Sequence, residues 1–256
     1  MSVLSEMSGS RREVVIFSDL DDSLFQSRRK CVGHEGELSV AAYDRTGNPR
    51  SFHTPLQRAL LKSWEGATVI PVTGRSSDAL ARVTSLSWSS YRVVSHGAEV
   101  LGPDGQPLES WRQLISDEVT AWSARLMEVS AQVTRYIERL NATEREVPRV
   151  RVVYEADTPV YLSIKGPAHD LTELRERLTP QWSDGIIHHN DRDMALLPSY
   201  ASKARAVSHL IEQLRAHQEL RPLIIGLGDS VSDLPFLKLC DFALTPQDSH
   251  IQRELW

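Results

Sequence analysis

Two aspartates separated by a single residue, Asp19 and Asp21, follow a run of four apolar residues near the start of the chain. That run, residues 14–17, predicts a short strand that is buried on both faces. Clustered carboxylates repel one another and usually face solvent unless they share a cation. At the carboxyl end of a buried parallel strand, where α/β sheets place their ligands, Mg²⁺ is the expected cation. For this stretch alone, a polar turn after a strand is an equally good interpretation.

Polar residues of a matching kind follow two further apolar runs. Thr73 and Gly74 come directly after the second run, and Asp229 and Asp233 come after a later one. Lys203 lies at the start of the predicted helix that leads into the later run. Taken singly these residues are ordinary, because a hydroxyl after a strand usually caps a helix. Taken together, at the strand ends of one parallel sheet, they describe a site for phosphoryl transfer.

Each group in such a site has a distinct chemical role. Asp19 would be the attacking carboxylate, because carboxylates can form aspartyl-phosphate intermediates. Asp21 would protonate the leaving oxygen and then act as the base for water. Asp229 would hold Mg²⁺ opposite Asp19, so that the nucleophile and the phosphoryl oxygens can meet despite their like charges. The phosphate would be held by the Thr73 hydroxyl, the Gly74 backbone amide and the Lys203 ammonium group.

Strands and helices alternate around these residues, which predicts a parallel sheet with right-handed crossovers. The predicted strands are residues 14–17, 67–72, 92–95, 223–227 and 242–244. Predicted helices begin at Pro55 and run over residues 77–85 and 202–216. Residues 37–43 and 50–53 flank a Gly47 turn and predict a hairpin beside the acidic cluster.

The pattern changes in the middle of the chain. A long helical pattern covers residues 109–141, and half-buried strand patterns cover residues 149–156 and 159–165. A second helix over residues 168–178 and a hairpin of residues 185–189 and 194–197 follow. The order α-β-β-α-β-β predicts a separate antiparallel layer, a cap domain of residues 108–198. The core domain would comprise residues 13–107 and 199–256, after a flexible tail of residues 1–12.

Composition excludes several classes of partner. The chain of 256 residues has 41% hydrophobic and 25% charged residues, as ordinary soluble proteins do. Its net charge of −5 gives no basis for binding nucleic acid, and no apolar run approaches the ~20 residues that span a bilayer. Cys31 and Cys240 lack the spacing of a disulfide framework or metal site, and residues 1–12 lack the apolar centre of a signal peptide. We therefore predict a cytoplasmic protein. The predicted site for phosphoryl transfer indicates a small phosphorylated metabolite as its ligand.

The ordered motifs resemble those of the haloacid dehalogenase (HAD) superfamily of phosphatases. That pattern is Asp-x-Asp-x-Thr/Ser, then Ser/Thr, then Lys, then Gly-Asp-x-x-x-Asp. It appears here as residues 19–23, 73–75, 203 and 228–233. The resemblance implies an α/β fold with a HAD-like Rossmannoid parallel sheet. The α+β insert (αββαββ) resembles the C2B cap of the Cof-like branch, which includes phosphatases of sucrose phosphate, trehalose phosphate and mannosyl-3-phosphoglycerate.

The resemblance also implies further site residues. Asp21 would bind Mg²⁺ through its backbone carbonyl, Asp233 would support the metal from nearby, and Ser232 would contact phosphate. Two positions depart from the pattern. Many relatives have Gly where this chain has Asp22, which adds negative charge and leaves the turn less free. Relatives often have Asn at position 232, and a serine has a shorter reach.

Three functions fit these residues. The first is a Mg²⁺-dependent phosphomonoesterase acting on a small metabolite, best matched by a sugar phosphate. The second is a phosphosugar mutase of the phosphomannomutase type, whose cap needs a basic cluster for the second phosphate. The third is a catalytically silent HAD-like binding module, for which the complete motif set would have no physical need. The cap residues expected to reach a sugar are Arg151, Lys165, His188 and Arg192, and the basic candidates for a mutase are Arg149, Arg151, Lys165 and Arg192.

Overall fold

The computed structural model describes residues 13–34, 36–140, 146–216 and 220–255, and the predicted tail of residues 1–12 lies outside them. These residues form two compact units. The first unit comprises the described parts of residues 13–71, 84–90 and 207–255, and the second comprises residues 72–83 and 91–206.

The described residues contain thirteen strands and seven helices. The strands are β1 (Val14–Ser18), β2 (Gln26–Ser27), β3 (Ser39–Tyr43), β4 (Pro49–His53), β5 (Thr68–Pro71), β6 (Arg92–Val94), β7 (Glu99–Leu101), β8 (Arg149–Glu155), β9 (Thr158–Lys165), β10 (Ile186–Asn190), β11 (Asp193–Leu197), β12 (Leu223–Leu227) and β13 (Phe242–Leu244). The helices are α1 (Pro55–Ser63), α2 (Ser77–Ala81), α3 (Glu109–Glu138), α4 (Ala168–Leu178), α5 (Lys203–Ala216), α6 (Leu234–Leu237) and α7 (His250–Leu255).

A parallel sheet in the order β13-β12-β1-β5 forms the centre of the first unit. Val15, Ile16 and Phe17 on β1 have no exposed surface, because β1 is paired on both edges and covered on both faces. Burial on both faces is why this strand reads as a continuous apolar run without alternation. The sheet confirms the predicted α/β class.

The predicted third strand of the parallel sheet, residues 92–95, is the main difference between expectation and structure. β6 pairs antiparallel with β7, and its one parallel contact is a bridge between Val93 and Val72. The chain reverses immediately after β6 because Ser95, His96 and Gly97 all have positive φ, at 48°, 60° and 92°. A run of three left-handed residues is rare, and sequence patterns did not indicate it.

An antiparallel sheet in the order β10-β11-β9-β8 lies in the second unit. On one face Leu162, Ile164, Met194 and Leu196 are buried, and α3 and α4 contact the strands of this sheet. The α-β-β-α-β-β order of elements predicted for residues 109–197 is therefore correct, although the predicted last helical residue, 141, lies outside the described part of the chain. Side chains at alternate positions point to the opposite face of this sheet.

Smaller elements complete the first unit. The predicted hairpin is β3 and β4, with β2 added at the edge of β4. α1 begins with the expected Thr54 cap, whose hydroxyl accepts from the Gln57 amide in a capping box. α2, in the second unit, ends four residues before its predicted end, and α7 was not predicted. None of the helices in the described ranges is both long and apolar enough to span a membrane.

Candidate active site

Three carboxylates of the first unit converge. Asp19, Asp229 and Asp233 each offer one oxygen, and these oxygens all lie within 4.8 Å of one another. Asp19 follows β1, Asp229 follows β12 after one glycine, and the two strands are hydrogen-bonded neighbours in the parallel sheet. The carboxyl ends of adjacent strands therefore bring together residues that are 210 positions apart in the sequence.

Asp19 is held by hydrogen bonds at both its backbone and its side chain. Its N–H group donates to the Leu227 carbonyl at 2.8 Å, which continues the pairing of β1 with β12 by one residue. The side-chain Oδ2 atom accepts from the Ser23 hydroxyl at 3.1 Å. Only 5% of Asp19 is exposed. A buried carboxylate needs such donors, because burial disfavours its charged form.

Asp233 lies close to Gly228 in the turn that follows β12. A Cβ atom on Gly228 would lie 2.6 Å from the Cβ of Asp233, so a larger residue at position 228 would clash. Asp233 is fully buried, and its Oδ2 atom accepts from both the N–H and the hydroxyl of Ser230, each at 3.1 Å. The backbone carbonyl of Asp229 accepts from the Ile251 amide at 2.9 Å. The unpredicted α7 therefore helps to position Asp229.

Asp21 and Asp22 lie in the turn between β1 and β2. Asp21 is exposed, and its carboxylate is not part of the three-residue group found in the described chain. Asp22 has φ of 63°, a left-handed conformation that glycine adopts most easily. Its carboxylate contacts the Lys30 ammonium group at 2.5 Å. The departure from glycine at this position therefore brings a lysine partner for the added charge.

The three-carboxylate group suits a divalent hard cation. All its ligand atoms are carboxylate oxygens, which Mg²⁺ prefers, and Mg²⁺ is usually bound by few carboxylates with waters and phosphate oxygens at the other positions. Soft or nitrogen ligands, which favour zinc or copper, are not among these three side chains. The residues present therefore fit the predicted magnesium ion.

In the second unit, hydrogen bonds determine the conformation of residues 73–75. The Thr73 amide donates to the Val93 carbonyl at 2.9 Å, and the Arg75 amide donates to the Thr73 hydroxyl oxygen at 3.1 Å. Tyr161 on β9 donates from its hydroxyl to the Gly74 carbonyl at 3.2 Å. The peptide between Gly74 and Arg75 is therefore held at both its oxygen and its nitrogen.

The turn of residues 95–97 lies between this loop and the start of α5. The His96 amide donates to the Thr73 carbonyl at 2.9 Å, and the Ser95 amide donates to the Arg75 carbonyl at 2.7 Å. A Cβ atom on Gly97 would lie 2.4 Å from the Ser202 carbonyl oxygen. Close packing at this glycine brings the first residue of α5, Lys203, near the loop that contains Thr73 and Gly74.

Glu155 at the end of β8 binds the same region and was not singled out by the sequence. It is 3% exposed, and its carboxylate accepts from the Ser77 amide at 3.0 Å and from the hydroxyls of Ser77 and Ser95. These bonds join the tip of the β8–β9 hairpin to the start of α2 and to the turn after β6. A pattern of isolated serines and one glutamate carries no signal of such contacts between distant segments.

Ser232, expected to contact phosphate, hydrogen-bonds to another side chain. Its hydroxyl and that of Ser230 are 2.6 Å apart. The Ser230 hydroxyl in turn donates to Asp233. In this conformation Ser232 belongs to the network that supports Asp233.

The four cap candidates have different surroundings. Lys165 forms an ion pair with Asp193, and Arg192 forms one with Glu146 at 2.7 Å. Arg151 is exposed on β8, and His188 on β10 stacks on His96 with ring centroids 5.5 Å apart. The register aligns His188, Ala195, Ser163 and Arg151 in one row across the four strands. This row lies on the sheet face opposite the buried Leu162 and Ile164.

Comparison by sequence relates the chain to sucrose-phosphate phosphatases. The model of the sucrose-6F-phosphate phosphohydrolase family matches residues 12–241. Sucrose-phosphatase 1 of Nicotiana tabacum is 24% identical over 183 residues, which are 69% of this chain and 40% of the tobacco protein. The chain thus matches well under half of the length of that curated relative.

Two solved structures share the fold. The sucrose-phosphatase of Synechocystis sp. PCC6803, solved with sucrose and phosphate, is 16% identical with a TM-score of 0.56, covering 96% of this chain and 97% of that one. The C-terminal domain of C. albicans trehalose-6-phosphate phosphatase is 12% identical with a TM-score of 0.58, covering 89% of this chain and 73% of that one. These structural similarities confirm the α/β fold, and the family model and the tobacco relative confirm the expected resemblance to sucrose-phosphate phosphatases. With the family model matching nearly its whole length, the chain belongs to the sucrose-6F-phosphate phosphohydrolase family.

Proposed function

We propose that this protein is a Mg²⁺-dependent phosphomonoesterase that hydrolyses a sugar phosphate through an aspartyl-phosphate intermediate. The observation that supports this proposal most strongly is the convergence of Asp19, Asp229 and Asp233 within 4.8 Å. The family match supports the sugar phosphate, because its family is named for the hydrolysis of sucrose 6F-phosphate. The mutual repulsion of three carboxylates in so small a volume is costly unless a cation is shared, which supports a bound metal ion at this place.

In the first half of the reaction a carboxylate oxygen of Asp19 attacks phosphorus. The bond from phosphorus to the ester oxygen breaks, and Asp21 donates a proton to the departing alcohol. Ser23 donates to the Oδ2 atom of Asp19 and so leaves Oδ1 as the attacking atom. The exposed position of Asp21 suits a group that must reach the leaving oxygen and then meet water.

In the second half, water attacks the phosphorus of the aspartyl phosphate. Asp21, now ionised, takes a proton from that water, and the phosphorus–oxygen bond to Asp19 breaks to release phosphate. Asp19, Asp229 and the Asp21 carbonyl would hold the magnesium ion, with Asp233 in support. When bound, the ion supplies positive charge that offsets the repulsion between the carboxylate and the phosphate.

The phosphate would be held by Thr73, Gly74 and Lys203. The Thr73 oxygen already accepts from the Arg75 amide, so the hydroxyl proton is directed to another acceptor, for which a phosphate oxygen is suited. Lys203 contributes a full positive charge and the Gly74 amide a hydrogen-bond donor. Such groups stabilise the transition state by spreading the charge on the equatorial oxygens.

We also propose that residues 108–198 act as a cap that selects the leaving group, whereas residues 13–107 and 199–256 form the catalytic core. The core groups can contact only the phosphoryl group, which all phosphate esters share. Discrimination between phosphate esters would then come from the row formed by His188, Ala195, Ser163 and Arg151. The cytoplasmic location remains a prediction from the sequence.

A phosphosugar mutase is the less favoured alternative. A mutase must bind a second phosphate in its cap, and two of the basic residues available for that purpose already have acidic partners, since Lys165 pairs with Asp193 and Arg192 with Glu146. Binding a phosphate there would require breaking these pairs, although each exposed pair contributes only about 0–1 kcal/mol.

A substrate screen tests the proposal. The purified protein should release inorganic phosphate from sugar phosphates, including sucrose 6F-phosphate, when Mg²⁺ is present, and should stop when EDTA is added. Nucleotides and phosphoglycerate conjugates serve as comparison substrates. Conversion of a hexose 1-phosphate into its 6-phosphate without release of phosphate would instead support a mutase, and the absence of turnover on every ester would contradict the proposal.

A further inference from the structure

The geometry points to a pair of stacked imidazoles, His96 and His188, that binds a hydroxyl of the leaving sugar next to the phosphate. This inference rests on the proposed function and names two residues that would determine its specificity. His188 is one of the cap residues that the sequence predicts to reach a sugar, whereas His96 was not among the candidate site residues.

The side chain of His96 packs against Gly74. A Cβ atom on Gly74 would lie 2.5 Å from Cε1 and 2.6 Å from Nε2 of His96. The edge of the imidazole therefore contacts the backbone whose amide is proposed to hold the phosphate. His96 as a whole residue is partly exposed in spite of its dense surroundings. If a phosphate ester binds at the Gly74 amide, the atoms of the ester that lie nearest to phosphorus would contact His96.

The second step is the orientation of the His96 ring, which is fixed on two sides. The His188 ring stacks on it at an interplanar angle of 23°, and the Tyr161 ring meets it edge-on at 89° with centroids 5.2 Å apart. Tyr161 is itself held by its bond to the Gly74 carbonyl. Burial raises the pKa of Tyr161 to about 12, so its hydroxyl stays protonated and remains a donor. Aromatic contacts of this kind add to the energy of burial.

The third step is the charge state of the ring. Burial lowers the pKa of His96 well below its usual value, and the nearby His188 and Lys203 lower it further. His96 is therefore neutral at physiological pH. A neutral imidazole carries one N–H donor and one nitrogen acceptor, which matches the donor and acceptor of a hydroxyl group. A phosphate accepts hydrogen bonds only, and Lys203 already serves it.

The fourth step is the place of His188 in the sheet. His188 begins the row that continues through Ala195 and Ser163 to Arg151. The short side chains of Ala195 and Ser163 separate His188 from Arg151, so the row has a hydrogen-bonding side chain at each end. The stacked pair thus joins the phosphate-binding loop to the row proposed to select the sugar.

The test compares two substrates in variants that keep an aromatic ring. His96→Phe and His188→Phe preserve stacking but remove the ring nitrogens. Each should lower the ratio of kcat/KM for sucrose 6F-phosphate to kcat/KM for para-nitrophenyl phosphate by about tenfold. The aryl ester should be less affected because it lacks the sugar hydroxyl that the rings are proposed to bind. His189→Gln is the matched control, since His189 lies on the other face of β10 and bonds to the Asp191 carbonyl. Its ratio should be unchanged.

A binding measurement guards against a folding defect. In the Asp19→Asn background, calorimetry should show weaker binding of sucrose 6F-phosphate by each Phe variant, with the affinity for inorganic phosphate within about threefold of the parent. An equal loss for both substrates and for phosphate would mean that the rings act only in packing, and would overturn the inference. If the unmodified protein hydrolyses neither ester with Mg²⁺, the proposed function fails instead.

Discussion

The Ser23 hydroxyl donates a hydrogen bond to the Oδ2 atom of Asp19 at 3.1 Å, and both side chains are buried. The three residues between them form a tight turn, which is closed by a hydrogen bond from the Leu24 amide to the Leu20 carbonyl at 2.9 Å. This turn explains why a hydroxyl residue occurs four positions after the aspartate: the spacing returns its side chain to the carboxylate. In the proposed mechanism, this hydrogen bond to Oδ2 would leave Oδ1 of Asp19 as the attacking oxygen.

Ser23→Ala should lower kcat on every substrate by roughly tenfold, with little change in KM. Hydrogen bonds to charged groups contribute about 1.5–3 kcal/mol, and part of this orients the nucleophile. Ser63→Ala removes an exposed serine whose hydroxyl donates to the Leu60 carbonyl, and it should have full activity. Equal kcat values for the two variants would show that Ser23 does not orient Asp19.

Asp21→Ala should reduce the hydrolysis of sugar phosphates by about 10²–10⁴-fold, as expected for loss of a general acid and base. Single-turnover phosphorylation by an aryl phosphate should suffer less, because its leaving group needs no proton. Asp22→Gly is the neighbouring control, since φ of 63° at Asp22 suits glycine. Equal losses for the two substrates in the phosphorylation step would exclude Asp21 as the acid.

Asp229→Ala should raise the Mg²⁺ concentration required for half-maximal activity, because it removes one of three converging oxygens. Glu65→Ala, a change at an exposed acidic residue, controls for the loss of one negative charge. If the Mg²⁺ dependence of Asp229→Ala matched that of the control, the metal would have to bind elsewhere.

Gly74→Ala should strongly reduce activity because its methyl group would overlap the His96 ring, which Tyr161 and His188 hold in place. The double variant Gly74→Ala with His96→Ala relieves that overlap and should recover part of the lost activity. Activity and thermal midpoint measured on the two single variants and the double variant give the coupling. Losses that simply add would indicate that the two residues do not contact each other in solution.

The free energy of unfolding should fall as the pH is lowered through and below about 6.5. Burial lowers the pKa of His53, whose Nδ1 and Nε2 atoms lie 2.8 Å from the Leu24 carbonyl and 2.7 Å from the Ser85 hydroxyl. A histidine with a depressed pKa binds its proton more readily in the unfolded chain, so stability present above pH 6.5 is lost on acidification. Denaturant titrations at pH 7.5 and 5.5 should show that the free energy of unfolding falls less between these two pH values for His53→Gln than for the parent. The same pH dependence in both would contradict the expectation.

The positions of the candidate site residues at strand ends were predictable because their signals are local. Asp19, Thr73 and Asp229 each follow an apolar run, and the run itself indicates the strand that ends there. Parallel pairing of β1 with β12 then brings two of them together without further information. Helix α3 and the hairpins β8–β9 and β10–β11 were predictable for the same reason, since their periodic patterns are long.

Contacts between distant segments were not predictable. Glu155 lies 60 positions from Ser95 and His188 lies 92 from His96, and neither pair belongs to a repeating pattern. The positive φ angles at Ser95 and His96 turned a predicted parallel strand into a hairpin. Such conformations are costly for residues other than glycine and depend on the packing around them.

The proposed mechanism requires that Asp19 becomes phosphorylated during turnover. The most direct measurement quenches the protein with acid during hydrolysis of a sugar phosphate in Mg²⁺, reduces it with borohydride, and identifies the modified residue by peptide mass spectrometry. We expect homoserine at position 19, formed by reduction of the acyl phosphate. It should be absent from the Asp19→Asn variant and from samples with EDTA. Homoserine at another aspartate, or full turnover by Asp19→Asn, would contradict it.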